Sequence, residues 1–62
     1  MKRKELKQLA QKIAAAERII QTSDDKAAIS KAQNDILELS GHAMTVEDML
    51  AIDEMVQKIL EN

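Results

Sequence analysis

The chain has no phenylalanine, tyrosine or tryptophan. It therefore lacks the side chains that each bury about 150–250 Å² in an ordinary core. It has no cysteine either, so neither a disulfide nor a thiolate zinc site can staple the fold. Proline is absent and Gly41 is the single glycine, so helices meet no strong interior breaker and must be punctuated by capping side chains. No apolar run approaches the ~18 residues that a membrane-spanning helix needs. The opening Met1-Lys2-Arg3-Lys4 is basic like the start of a secretion signal, but Glu5, Lys7 and Gln8 interrupt any apolar stretch behind it. A cytoplasmic location is the resulting expectation.

Apolar residues make up 45% of the chain and charged residues 32%, which is too apolar for a disordered segment. At 62 residues the chain is one domain, residues 1–62, near the size at which a core alone is marginal. Regular helix packing, a ligand or self-association must make up the difference. Packing together with self-association is the expectation here.

Three stretches carry helical periodicity. Leu6, Leu9, Ile13, Ala16 and Ile20 recur at spacings of three and four over about 2–21. Thr22-Ser23-Asp24-Asp25 then breaks the pattern, with Thr22 or Ser23 placed to cap the next helix and both aspartates facing its positive end. Ile29, Ala32, Ile36 and Leu39 mark a second helix over about 24–40. Gly41 follows it and suits the left-handed position after a helix. The third helix, about 45–61, has Thr45 as N-cap, Asp48 as the acidic third residue and a Met44–Met49 hydrophobic staple. Short connections make neighbouring helices antiparallel, so the expected fold is an all-α, up-down-up three-helix bundle. If the first two segments ran on as one bent helix, the alternative is a helical hairpin dimerising through its long arm.

Several aliphatic residues fall outside the main stripes when the segments are wound at about 100° per residue. Ile19, Leu37, Val46 and Leu50 are of this kind, and Met55 belongs to an unusually wide apolar band on the third helix. Isolated exposed aliphatics are ordinary. In a chain with so small a core they point instead to a homo-oligomer or partner interface formed by the third helix with Ile19 or Leu37.

Charge is divided unevenly. From Met1 to Lys12, Lys2, Arg3, Lys4, Lys7 and Lys12 stand against Glu5 alone, while from Gly41 to Asn62, Glu47, Asp48, Asp53, Glu54 and Glu61 face Lys58 alone. A basic cluster at a helix N-terminus opposes the macrodipole. Glu47 and Asp48 could neutralise it within an up-down-up bundle. Otherwise Lys2, Arg3, Lys4 and Lys7 are candidate contacts for an anion, such as a nucleotide bound between subunits. Glu17 and Asp53 each sit within or beside an apolar stripe, as edge residues or as paired groups that set register.

Catalytic and metal-binding constellations are missing from the sequence. One histidine and no cysteine make a dedicated transition-metal site improbable. Glu38 and His42 are four apart, but Gly41 intervenes and is expected to keep them off a shared face. His42 itself is expected to cap the preceding carbonyls or to point to solvent. No calcium loop, phosphate loop or zinc-protease spacing occurs, and three short helices provide no oxyanion hole. A helix-turn-helix reading fails because the helix after Thr45 is almost wholly acidic and would repel phosphate. With no aromatic for base stacking, nucleic acid is not an expected partner. The sequence points to a non-enzymatic interaction or regulatory protein without a cofactor, acting through a self-associating aliphatic and methionine surface.

Overall fold

Helix formation follows from the absence of breakers, and each boundary has a local cause. The computed structural model describes residues 2–61. Helix α1 spans Arg3–Thr22, α2 spans Lys26–Ser40 and α3 spans Val46–Glu61. No strand occurs among the described residues.

Helix α1 begins without a side-chain cap, Lys2 supplying only its carbonyl to the Leu6 N–H at 3.1 Å. It ends at Ser23, where the backbone becomes extended and the N–H still reaches the Ile19 carbonyl at 2.8 Å. The next helix starts two residues later than the sequence pattern implies, and its cap is Asp25 rather than Thr22 or Ser23. Both hydroxyls are engaged elsewhere. Thr22 Oγ1 donates back to the Arg18 carbonyl at 2.7 Å, and Ser23 Oγ accepts from the Asp25 N–H at 3.1 Å. The Asp25 carboxylate is left to accept from the Ala27 N–H at 3.0 Å, which satisfies an orphan donor of α2.

Gly41 also departs from expectation. Its φ of −64° and ψ of −17° are right-handed, so the chain does not reverse through a left-handed residue. The helical winding runs on in tighter turns instead, with the His42 N–H on the Leu39 carbonyl and the Ala43 N–H on the Ser40 carbonyl, both at 3.1 Å. At α3 the Thr45 hydroxyl accepts from the Asp48 N–H at 3.1 Å, as the capping pattern implies. The accompanying staple does not close. Met44 stands 86% exposed and Met49 51% exposed.

Helix α1 is the centre of the three-helix bundle and packs against both α2 and α3. Its small residues make this possible, since Ala10 and Ala14 are essentially without solvent contact and let α3 approach closely. They form one cluster with Leu6 and Ile13 of α1 and Ile52 and Val56 of α3. Complete burial of an aliphatic side chain of this size contributes about 1.5–3 kcal/mol. Among the described residues Ala16 and Ala32 are the remaining buried ones, and no large side chain among them is wholly shut off.

Helix α2 runs back along α1. Leu39 and His42 lie beside Gln8 and Leu9 at one end, and Asp35 lies beside Ala16 and Ile19 farther along. Helices α2 and α3 barely meet each other. The radius of gyration is accordingly 11.6 Å, slightly above the roughly 10.6 Å of a compact domain of this length. An open cleft separates the two outer helices.

Candidate interaction cleft and charged depressions

The floor of that cleft is made by one isoleucine from each helix, Ile13, Ile36 and Ile52. Ser40, Ala43, Met49, Glu17 and Asp53 complete the lining of a cavity of about 100 Å³. Glu17 belongs to α1 and Asp53 to α3, so two acidic residues that each interrupt an apolar stripe come to line one cavity. No lysine, arginine or histidine lines it.

The exposed aliphatics of α2 and α3 follow helical spacing from residues that line it. Val46, Met49, Leu50 and Asp53 are spaced by three and four along α3 and share a face. Leu37 lies one turn from Ser40 on α2. Leu37 and Val46 are each 72% exposed and Leu50 is 59% exposed. These three of the five residues expected at an interface lie on the outer helices and are not among those lining the cavity. Exposed Met49 does line it, which the sequence alone did not indicate because it also belongs to the core-facing band of α3.

The other two lie elsewhere. Ile19 borders a depression between α1 and α2, about 420 Å³ in volume, with Lys12, Asp35, Glu38 and His42. Glu38 and His42 share that depression because right-handed Gly41 keeps the chain turning, contrary to the separation expected from the sequence. Met55 is partly buried against the core and forms part of a third hollow.

That third hollow, of about 300 Å³, is lined by Arg3, Lys7, Met55, Lys58 and Ile59. Arg3 and Lys7 are one turn apart on α1, and Lys58 approaches from α3. Lys2 and Lys4, the other expected anion contacts, are exposed but do not line it. Lys58 was not among those candidates because it lies in the acidic half of the sequence. None of these five cations makes a side-chain hydrogen bond to another described residue.

Among the described residues no helix is long and apolar enough to cross a membrane. No group of three or more histidine or acidic side chains among them could hold a metal ion. No protein-family model, curated protein or solved structure matches the chain. Function is therefore read from the surface of the molecule itself.

Proposed function

We propose that the protein is a small non-enzymatic interaction module of the adaptor or inhibitor type, which buries the edges of its α2–α3 cleft against another helix. The observation that supports this reading is the exposure of Leu37, Val46, Met49 and Leu50, all more than half exposed, on two outer helices that barely touch. A helix laid there completes a four-helix arrangement and removes those side chains from water. A second copy of the chain is one possible occupant, and the sequence favours it on the grounds of the small core.

Sedimentation equilibrium over a wide concentration range, with circular dichroism at each dilution, compares the wild type with Leu50→Lys. Self-association in the wild type, lost in a variant of unchanged helicity, is the result expected for a second copy. A folded wild-type monomer at every concentration rules out self-association and leaves the face for a different protein. A Leu50→Lys chain that unfolds as a monomer makes Leu50 a core residue and contradicts the reading.

A second reading rests on the hollow between Arg3, Lys7 and Lys58, where three cations surround Met55 and Ile59. This arrangement suits an anion with an apolar portion, such as a nucleotide. It requires a saturable, salt-sensitive rise in melting temperature with one anion. That rise must disappear in Lys58→Gln.

A further inference from the structure

We infer that the hollow between α1 and α3 binds a phosphate monoester carried on an aliphatic chain, with Arg3, Lys7 and Lys58 around the phosphate and Met55 and Ile59 against the chain. The inference rests on the anion reading above and specifies the ligand's chemistry.

Positive charge is concentrated there against local preference. Arg3 and Lys7 are four apart on α1, a spacing at which like charges repel, and Arg3 stands at the positive pole of that helix. Lys58 adds a third cation from α3, and no acidic residue lines the hollow, although the whole chain has a net charge of −2. None of the three makes a side-chain hydrogen bond to another described residue. Glu5, the acidic residue in the first turn of α1, lines a different depression with Gln8 and Leu9. A phosphate monoester, with a charge of about −1.5 to −2 near neutral pH, relieves the repulsion and suits the forked donors of a guanidinium.

The rest of the lining narrows the ligand. The three cationic side chains offer donors and no acceptor, Ile59 offers neither, and the Met55 thioether is at most a weak acceptor. The Ile59 carbonyl already accepts from Arg18 at 2.9 Å. Sugar hydroxyls and the amino group of a base would therefore lose water without gaining a side-chain partner, at a cost. The chain also has no aromatic side chain on which a base could stack. Partly buried Met55 and Ile59 are matched instead by methylene groups, which need no partner. A volume of about 300 Å³ lies at the lower limit of small-molecule sites, roughly 300–1,000 Å³, and so favours a short chain.

Hexyl phosphate titrated into the full chain and followed by amide NMR shifts tests this, with inorganic phosphate and adenosine monophosphate as comparators. Hexyl phosphate should bind saturably, shift amides in the first turns of α1 and the last turns of α3, and bind about tenfold more tightly than either comparator. Lys58→Gln should weaken it by about tenfold or more, with Lys7→Gln as the second variant if circular dichroism shows the first unfolded. Lys2→Gln combined with Lys4→Gln, outside the hollow, should weaken it by less than about threefold. Equally tight, Lys58-dependent binding of adenosine monophosphate overturns the aliphatic chain and leaves the anion reading standing. Equal losses from the Lys58 and Lys2/Lys4 variants mean diffuse attraction and overturn the site. Binding of none of the three ligands overturns the inference and the anion reading together. Co-sedimentation with phosphatidylcholine vesicles containing phosphatidic acid, lost in Lys58→Gln, assigns the phosphate to a lipid headgroup. Hexyl phosphate binding without co-sedimentation assigns it to a free ligand, and co-sedimentation without hexyl phosphate binding overturns the hollow as the site.

Discussion

The guanidinium of Arg18 donates to the backbone carbonyl of Ile59 at 2.9 Å across 41 residues of sequence. It ties a late turn of α1 to the last turn of α3, where helical carbonyls lack an internal partner. A cation at that end also opposes the negative pole of the helix. Arg18→Ala should therefore destabilise the fold by about 0.5–1 kcal/mol, discounted for solvent exposure. In a domain of this size the melting temperature should fall by roughly 2–8 °C. An unchanged melting temperature would show that the contact contributes nothing.

Close approach of α3 to α1 depends on Ala10 and Ala14, 0% and 1% exposed. Ala10→Leu or Ala14→Leu should force the helices apart and cost about 1–3 kcal/mol, or more if the core cannot adjust. Ala15 is exposed, and Ala15→Leu should change stability by no more than about 0.5 kcal/mol. Urea unfolding of the three variants distinguishes a packed alanine seam from mere helix propensity, which would treat all three alike.

Capping makes a similarly sharp distinction. Asp25→Ala and Thr45→Ala each remove a side-chain acceptor from a helix N-terminus and should cost about 1 kcal/mol. Thr22→Ala removes only a hydroxyl that bonds back into its own helix and should stay within about 0.5 kcal/mol of the wild type. A large loss from Thr22→Ala together with none from Asp25→Ala would restore the cap assignment that the sequence pattern suggests.

The three helices were legible because apolar periodicity and strong helix formers leave few alternatives in a chain without proline. The start of α3 was legible too, since the Thr45 hydroxyl accepts from the Asp48 N–H as the capping pattern implies. At Thr22 and Ser23 the same reasoning failed, because hydroxyls of similar capping ability were engaged by nearer backbone groups. Gly41 misled for a related reason. Glycine permits a left-handed turn but does not require one, and the tight turns after it satisfy the same carbonyls.

The cleft was legible only in pieces. A helical wheel marks Glu17, Leu37, Val46, Leu50 and Asp53 as misfits on their own helices, but it carries no information on how helices are set against one another. Lys58 was hidden in the same way, being an isolated cation in sequence and a neighbour of Arg3 and Lys7 in space.

In the proposed function Leu37, Val46 and Leu50 serve contact with another helix and not the stability of the fold. Equilibrium unfolding in urea of Leu37→Lys, Val46→Lys and Leu50→Lys, each at two protein concentrations, tests it most directly. Each variant at the lower concentration should lie within about 0.5 kcal/mol of the wild type, as expected of surface positions. Any concentration dependence of the wild-type midpoint should vanish in the variants. A loss of about 2–5 kcal/mol, the range of core truncations, from a monomeric variant would contradict this role and make the substituted residue part of the core.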